Sequence, residues 1–540
     1  MGFPRSSGIL LHPSSLPGPY GIGTLGPEAW AFIDFLAKAG VGLWQILPLG
    51  PTGYGDSPYQ CLSSFAGNSN LIAPGLLAQA GLLSPEELAA CRAPNSGKVD
   101  FGWIFDSRRR FLNRAWERFK AKRRIGGTYP QTKGGQEAAG QRARSRGAAE
   151  PANTPDTAGP DKNPDAPRLD EESFSRFCVD NASWLEDFSL FMAIKETRDM
   201  ESWDRWPEAL RLRKAGALEG FAEAQADLVG KHKFIQFVFF SQWRTLKTKA
   251  ETAGVRIIGD IPIFAAWDSA DVWAAPGLFQ LNGEGKPLKV AGVPPDYFTA
   301  TGQLWGNPLY DWKANKAEGY AWWVSRIEAA LSLVDIIRID HFRGFSANWA
   351  VPAQDKTAEG GSWEPGPGRL LFDAVQKRLG EVPIIAEDLG FMTPEVYALR
   401  DRYGFPGMKI LQFAFEPEGD NPDYPHNYPT NTVVYTGTHD NDTAAGWLAS
   451  TTPMAAARAL AYVGGTKRNF SWNMIRTAWA SPAAMAIAPF QDLLGLGSEA
   501  RMNYPGTQDG WWSWRMPEGS LRPSLAKRLK KLGEVFFRLG

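Results

Sequence analysis

Short apolar runs recur along the 540-residue chain, and most of them end in polar or ionisable residues. The clear ones are GILLHPSSL (8–16), VGLWQILPLG (41–50), VRIIGDIPIF (255–264), VDIIRIDHF (334–342), VPIIAEDLG (382–390), MKILQFAF (408–415) and TVVYTGTHD (432–440). ARMNYPG (500–506) is a weaker eighth run. Continuous apolar strands are typical of parallel sheets that are buried on both faces. The runs therefore predict eight parallel strands.

Helical patterns lie between these runs, for example PEAWAFIDFLAKAG (27–40) and GYAWWVSRIEAALSLV (319–334). Strands that alternate with helices in this way predict an α/β fold, a (β/α)8 TIM barrel. A doubly wound open sheet is the competing fold. It is disfavoured because no Gly-rich phosphate loop follows any of the runs.

Roughly 200 residues separate the second and third runs, and helical segments such as 174–198 and 231–251 lie in this interval. We expect a helical subdomain (73–250) inserted after the second strand of a single catalytic barrel domain (1–540). Within it, residues 125–172 are rich in Gly, Pro, Ala and charged groups, with almost no large apolar side chains. Such a segment cannot bury enough surface to offset its ordering entropy, so we predict that it is disordered.

The composition excludes several classes of partner. Formal net charge is zero, which gives no electrostatic footprint for nucleic acid or for an anionic membrane. The three cysteines form no CxxC motif, and the N-terminus has no apolar run long enough for a signal peptide, so we expect a cytoplasmic protein. The 22 Trp residues suit a protein that stacks flat rings against sugars or bases.

Carboxylates follow three of the predicted strands: Asp340, Glu387 and Asp440. A fourth, Asp260, lies slightly earlier in its run. The functional face of a parallel barrel lies at the carboxyl ends of its strands, so we expect these acids to meet there. Any one of them alone is better explained as a helix cap or a structural ion pair. The combination is what indicates catalysis.

Strand parity places Arg338 and Asp340 on one face, because they are two residues apart. An Arg in contact with a carboxylate lowers its pKa and keeps it ionised, as a nucleophile requires. Glu387 follows an apolar run, and desolvation there raises the pKa of a carboxyl, as a general acid requires. Two carboxyls in such different surroundings are typical of a glycosidase.

A metal site is the main alternative for the same acids. His439, Asp440 and Asp442 have side chains that divalent ions accept, and so do Asp260 and Glu387. The chain has only five His, however, and no HxH or HExxH motif. We therefore predict no metal and no other cofactor.

Several long motifs carry a family resemblance that covers nearly the whole chain outside 125–172. They are LHPSSLPGPYGIGTLG (11–26), WQILPLGPTGYGDSPYQ (44–60), GDIPIF (259–264), AGVPPDYFTATGQLWGNPLY (291–310), RIDHFRGF (338–345), AEDLG (386–390), GTHDNDT (437–443) and RMNYPGT (501–507). In these motifs the chain resembles the 4-α-glucanotransferases of the amylomaltase (disproportionating enzyme) family. It departs from the resemblance at Trp511, where a smaller polar residue is expected.

The resemblance implies that Asp340 is the nucleophile, that Glu387 is the acid and base, and that Asp440 holds the donor sugar in the transition state. It also implies that Tyr59 stacks on the donor sugar. Tyr54 matches a remote glucan site, and the loop 291–310 covers the acceptor side. The full set of expected binding or orienting residues is Arg338, His341, His439, Tyr59, Asp260, Asp296, Gln303, Trp305, Asn307 and Tyr54.

The activity that the resemblance implies is transfer of α-1,4-glucan segments to glucose or to another glucan, through a covalent intermediate and with retention. Its partners would be maltooligosaccharides and glucose. Two alternatives remain open: an α-glucan hydrolase with the same carboxylates, and a binding protein that has lost catalysis. The second requires a missing acid, and all three are present.

Overall fold

Eight parallel strands form the central sheet of the computed structural model, which describes residues 2–53, 55–93, 97–126, 168–295, 299–417, 419–507 and 510–540. Numbered in chain order together with the four strands of a smaller sheet, they are β1 (Ser6–Leu10), β2 (Leu43–Gln45), β3 (Arg256–Pro262), β6 (Ile336–Asp340), β9 (Ile384–Ala386), β10 (Gly407–Ile410), β11 (Thr432–Tyr435) and β12 (Met485–Pro489). Their order is β10-β11-β12-β1-β2-β3-β6-β9. The Ala386 amide donates to the Pro406 carbonyl (3.0 Å), which joins the two edges. The predicted (β/α)8 barrel is confirmed.

The eighth strand was wrongly predicted at 500–506. That segment follows a short 3-10 turn (Ser498–Ala500) and contains no strand, whereas β12 is the run MAIAP, buried throughout and paired with β1 and β11. Alanine has a low β propensity, and this run leads directly into the helix Phe490–Leu494. The local pattern therefore resembles a helix, and only the barrel neighbours make it a strand.

Helices surround the barrel, and the predicted ones at 27–40 and 319–334 are confirmed. The α-helices of the described residues are Pro27–Lys38, Pro74–Gln79, Pro85–Ala90, Phe101–Gly126, Glu171–Asp180, Ala182–Thr197, Glu208–Arg211, Ala215–Ala224, Ala226–Thr252, Ala270–Ala274, Trp312–Ala317, Ala321–Leu333, Arg369–Leu379, Pro394–Arg402, Ala444–Ser450, Pro453–Val463, Phe470–Ala480, Phe490–Leu494 and Pro523–Phe536. None of these helices is long and apolar enough to cross a membrane.

The regular elements that the structure describes between β2 and β3 are all helices. The predicted helix 174–198 is interrupted at Asn181, and the predicted helix 231–251 lies inside Ala226–Thr252. The side-chain amides of Gln236 and Gln242 accept from the Gly67 and Ala73 backbone amides, each at 2.7 Å, and so tie this helix to the loop after β2. The subdomain boundaries 73–250 stay a prediction. Most of the segment predicted to be disordered, 125–172, lies outside the described residues.

A second, antiparallel sheet was not predicted from the sequence. It comprises β4 (Lys289–Val293), β5 (Gln303–Pro308), β7 (Ala347–Pro352) and β8 (Ser362–Pro365), in the order β5-β4-β7-β8. Its strands come from the connections that follow β3 and β6, so the sheet belongs to the carboxyl-end face of the barrel. Its strand β5 carries Gln303, Trp305 and Asn307, which the family resemblance places over the acceptor side.

The C-terminal segment closes the opposite, amino-end face through the buried Arg538. Its guanidinium donates five hydrogen bonds of 2.7–3.0 Å to the backbone carbonyls of Ser6, Trp479, Ser481, Ala483 and Ala484. Ser6 begins β1, Ala483 and Ala484 directly precede β12, and Trp479 and Ser481 lie at the end of the helix Phe470–Ala480. One side chain therefore pins the chain's end to two neighbouring strands.

We predict that Arg538→Met lowers the free energy of unfolding by about 3 kcal/mol, because charge-assisted hydrogen bonds to buried carbonyls are lost. Urea unfolding followed by circular dichroism measures the change. Arg528→Met is the control, since Arg528 is exposed and only stacks over Trp472 at 3.6 Å. We expect it to cost less than about 1 kcal/mol. Equal losses in the two variants would contradict the role given to Arg538.

Candidate active site

Arg338 and Asp340 lie on the same face of β6, as strand parity predicted. Arg338 Nη2 contacts Asp340 Oδ1 at 2.9 Å, and Arg338 Nη1 donates to Asp260 Oδ2 on β3 at 2.6 Å. The Arg338 side chain is 4% exposed, the Asp260 side chain is fully enclosed, and the Asp340 side chain is 29% exposed. A buried cation thus joins two carboxylates from neighbouring strands, and only Asp340 reaches the open end of the barrel.

The pKa of Asp340 departs from the sequence-based expectation. Burial raises it, and the negative charges of Asp260 and Asp440 add to that rise, while Arg338 opposes it. Arg338 therefore acts in the predicted direction, but the net shift is upward, and the prediction of a lowered pKa was wrong. The sequence shows the contact and not the loss of water around it.

Glu387 follows β9 and turns its carboxyl towards the residue next to Asp340. Its Oε2 accepts from the His341 amide (2.7 Å) and its Oε1 accepts from the Leu389 amide (2.9 Å). His341 makes this possible with a left-handed backbone (φ +54°) that begins the 3-10 turn Phe342–Phe345. The carboxyls of Asp340 and Glu387 therefore lie at the same end of the barrel, at corresponding positions of the neighbouring strands β6 and β9.

Burial raises the pKa of Glu387, and the negative charge of Asp340 raises it further. The attraction of Arg338 and the two backbone amides oppose this rise without cancelling it. Since protonation removes the repulsion between the two acids, the pair favours an ionised Asp340 beside a protonated Glu387. This agrees with the predicted direction for Glu387.

Asp440 lies in the loop after β11 and is strongly held. Its Oδ1 accepts from Asn503 Nδ2 (2.6 Å), and its Oδ2 lies 3.3 Å from His439 Nε2. Burial works to raise the pKa of Asp440, but the attraction and hydrogen bond of His439, the hydrogen bond of Asn503 and the charge of Arg338 lower it to about 2. Asp440 is therefore the acid of the three that stays ionised most readily.

Tyr59 links the acids to each other through its hydroxyl and its ring. The hydroxyl donates to Asp260 Oδ2 (2.8 Å), and the ring stacks on His439 with centroids 5.1 Å apart and 14° between planes. One ring face is thus covered by His439, and Trp512 packs beside both rings. The predicted stacking of Tyr59 on a donor sugar stays a prediction.

Residues of β5 extend over His341. Trp305 packs edge-on to the His341 ring (4.8 Å) and donates from Nε1 to Gln303 Oε1 (3.1 Å). Burial, together with the charge of Arg343, lowers the pKa of His341 to about 3, so this ring is neutral. Asn307 is instead bound within the protein: its Oδ1 accepts from Gln60 Nε2 and its Nδ2 donates to the Ala265 carbonyl, both at 3.0 Å.

Two of the expected binding residues, Tyr54 and Asp296, lie outside the described residues. The candidate metal ligands do not form a metal site: within the described ranges, no group of three or more His, Cys, Asp or Glu side chains is placed to hold an ion. Asp442 Oδ2 accepts from Ser498 Oγ at 2.6 Å instead.

A family model described as 4-alpha-glucanotransferase matches residues 11–136 and 157–521. The chain belongs to the 4-alpha-glucanotransferase family. A 4-alpha-glucanotransferase from Thermus thermophilus is 47% identical over 547 residues, covering 100% of both chains. One from Streptococcus pneumoniae is 44% identical over 539 residues, covering 99% of this chain and 98% of the relative.

Solved structures agree with this membership. An amylomaltase from Streptococcus agalactiae in complex with acarbose superposes with a TM-score of 0.88 at 36% identity, covering 99% of this chain and 100% of that one. An amylomaltase from Corynebacterium glutamicum has a TM-score of 0.73 at 18% identity, covering 98% of this chain and 73% of that one. The second likeness shows the shared fold alone.

Sequence reasoning missed the residues that support Asp440 from outside its own loop. Asn503 binds its carboxylate, and Arg501 Nη2 donates to the Asp440 carbonyl at 2.5 Å. Both belong to the family motif RMNYPGT, which was interpreted as a strand. The polar residues of this motif were a signal against a strand. Arg501 and Asn503 are two residues apart and would share one face of a strand, either in the barrel core or among the surrounding helices.

We predict that Asp260→Asn moves the acid limb of the pH profile of kcat/KM to lower pH. Asp260 raises the pKa of Asp340, so removing its charge lets Asp340 ionise at lower pH. We also expect kcat to fall about 10- to 100-fold, because Arg338 and Tyr59 lose a shared anchor. Profiles with maltotriose measure both effects.

Asp401→Asn removes an exposed charge on the helix Pro394–Arg402 and is the matched control, with no shift expected. An unmoved acid limb in Asp260→Asn, or one moved to higher pH, would show that Asp260 does not act on Asp340.

Proposed function

We propose that Asp340, Glu387 and Asp440 transfer segments of α-1,4-glucans from a maltodextrin donor to the 4-hydroxyl of glucose or of another glucan. Membership of the family makes the chain a 4-alpha-glucanotransferase. The observation that carries the residue roles is the pairing of an Arg-bound Asp340 with Glu387. The Glu387 carboxylate accepts a hydrogen bond from the amide of His341, the residue after Asp340.

In the first step, Asp340 attacks the anomeric carbon of the donor. Arg338 occupies Oδ1, so the attacking atom is Oδ2, and the ion pair fixes its direction. Glu387 gives its proton to the leaving glycosidic oxygen as that bond breaks. The product is a glycosyl ester on Asp340 with inverted anomeric configuration, and the shortened glucan leaves with its new 4-hydroxyl.

In the second step, Glu387 is a carboxylate and accepts the proton of the acceptor's 4-hydroxyl. The acceptor oxygen attacks the anomeric carbon, the ester bond to Asp340 breaks, and the α-configuration is restored. Retention of this kind requires the two carboxyls to be about 5–5.5 Å apart. The contact between Glu387 and the residue after Asp340 supports that spacing.

Asp440 stabilises the donor sugar during both steps. Its lowered pKa keeps it ionised and able to accept hydrogen bonds from ring hydroxyls. Its negative charge also favours the positive charge that develops on the sugar ring in an oxocarbenium-like transition state. His439 and Asn503 hold it in place.

Transfer to a sugar is favoured over hydrolysis by an apolar acceptor side. Trp305 and the neutral His341 ring border the open end of the barrel near Glu387. Such apolar walls bind the C–H face of a sugar better than they bind a water molecule. The hydrolase alternative uses the same acids but is not favoured, since the relatives at 40% identity or more are named 4-alpha-glucanotransferases.

Maltooligosaccharides and glucose are the proposed substrates, and acarbose in the S. agalactiae amylomaltase supports a glucan-binding site. We propose that the enzyme uses no cofactor, binds neither nucleic acid nor a membrane, and has no obligate protein partner. We also propose a cytoplasmic location; two plant relatives are named as chloroplastic or amyloplastic enzymes.

We predict that maltotriose is converted to glucose and a ladder of longer oligomers while the number of reducing ends stays constant. Thin-layer chromatography and a reducing-end assay measure the two quantities. Asp340→Asn removes the nucleophile with little change of volume and is expected to lower the rate by more than about 10³-fold with an unchanged melting temperature. Reducing ends that rise with time would favour hydrolysis, and wild-type turnover by Asp340→Asn would exclude Asp340 as the nucleophile.

We predict a bell-shaped pH profile whose alkaline limb belongs to Glu387. Activity requires Asp340 ionised and Glu387 protonated, so it falls as pH drops through the first pKa and as pH rises through the raised second pKa.

An α-maltosyl fluoride donor needs no proton on its leaving group. Glu387→Gln should therefore lose about 10²- to 10⁴-fold with maltotriose and keep a burst of fluoride release. Equal losses with both donors would rule out an acid role.

A further inference from the structure

Two aromatic rings stand exposed beside the active site: Trp363 on β8 and Phe391 in the loop after β9. The Trp363 side chain is 37% exposed and Phe391 is 63% exposed. Their centroids are 6.1 Å apart with 19° between the planes, so the rings are nearly parallel. Large apolar groups left in water in this way commonly mark a binding surface.

Arg343 lies beneath these rings and completes what we call the aromatic platform (Arg343, Trp363 and Phe391). Its guanidinium carbon is 3.7 Å from the centroid of Trp363 and 5.8 Å from that of Phe391. Arg343 is only 5% exposed, yet its Nε and Nη1 have no hydrogen-bond partner among the described residues. No carboxylate of the described chain forms an ion pair with it. Burying a cation without a carboxylate partner costs free energy, and the ring faces of Trp363 and Phe391 offset part of that cost.

The platform is built from the same two chain segments that carry the reacting carboxyls. Arg343 is in the 3-10 turn that starts two residues after Asp340, and Phe391 is four residues after Glu387. At 3.8 Å per residue, the Cα of Phe391 lies at most about 15 Å from that of Glu387. Trp363 pairs across the small sheet with Trp349, and the opposite edge of that sheet is β5 with Trp305.

The donor-side groups come from other parts of the barrel. Tyr59 follows β2, and His439 and Asp440 follow β11, whereas every platform residue follows β6 or β9. Glu387 acts on the oxygen that joins donor to leaving group, and an acceptor occupies the leaving group's place in the second step. The platform therefore continues the site on the acceptor side.

We propose that the aromatic platform is a distal acceptor subsite, which binds sugar units of a glucan beyond the unit whose 4-hydroxyl attacks. The flat C–H face of a glucose ring stacks on Trp363 and Phe391, and Arg343 holds the Trp363 ring in position from behind. The inference rests on the proposed function and adds a preference for long acceptors. Glucose is one ring long and cannot reach both Glu387 and the platform.

The test uses the full-length enzyme with α-maltosyl fluoride as donor and either glucose or maltotetraose as acceptor. The measured quantity is the ratio of the KM for maltotetraose to the KM for glucose. We expect Phe391→Ala and Trp363→Ala each to raise this ratio roughly tenfold, the scale of one lost aromatic contact. Trp363→Phe keeps a flat ring and should restore most of the wild-type ratio. Phe105→Ala is the matched control, because Phe105 is 51% exposed on the helix Phe101–Gly126.

Binding is measured separately, so that failure of the proposed function is distinguishable from failure of the subsite. Titration of Asp340→Asn with maltotetraose gives a Kd without turnover, and we expect Phe391→Ala in that background to weaken it roughly tenfold. An unchanged Kd and an unchanged KM ratio would overturn the subsite, and so would an equal rise in both KM values. Concentration-dependent dimerisation that Phe391→Ala abolishes, with the KM ratio unchanged, would assign the rings to a self-association surface instead.

Discussion

A single buried guanidinium organises the reacting end of this barrel. Arg338 is enclosed between Asp260 on β3 and Asp340 on β6, two carboxylates that would repel each other without it. Asp260 in turn receives the Tyr59 hydroxyl, Tyr59 stacks on His439, and His439 contacts Asp440. Side chains from two strands and two loops therefore share one electrostatic centre, and the position of each depends on the cation between them.

The carboxyls of Asp340 and Glu387, which we propose to be the reacting pair, owe their different behaviour to their surroundings. Asp340 has the cation directly against one oxygen, whereas Glu387 is bound through backbone amides, and burial together with the charge of Asp340 raises its pKa. Deprotonating both would place two negative charges in a poorly solvated site, so one proton is retained, and the glutamate retains it. The proposed division between nucleophile and acid follows from this asymmetry. It requires no difference in the intrinsic acidity of the two side chains.

The sequence predicted the barrel because four of its strands, β3, β6, β9 and β11, contain consecutive β-branched apolar residues. It failed at β12, an alanine-rich run whose strand character comes only from its neighbours. Acids at strand ends, and the shared face of Arg338 and Asp340, were also predictable, because register depends on counting residues. The net pKa of Asp340, the inward-bonded amide of Asn307 and the support of Asp440 by Asn503 were not, since each depends on three-dimensional packing.

The small sheet has a mechanical consequence for the glucan path. Its two outer strands, β5 and β8, carry Trp305 and Trp363, and the two inner strands connect them by hydrogen-bond ladders, with a register shift in the β4–β5 ladder between Val290 and Gly292. Such ladders resist shear, so the outer strands do not slide past each other freely. The spacing between Trp305 and Trp363 is therefore determined by the pairing of all four strands of this sheet.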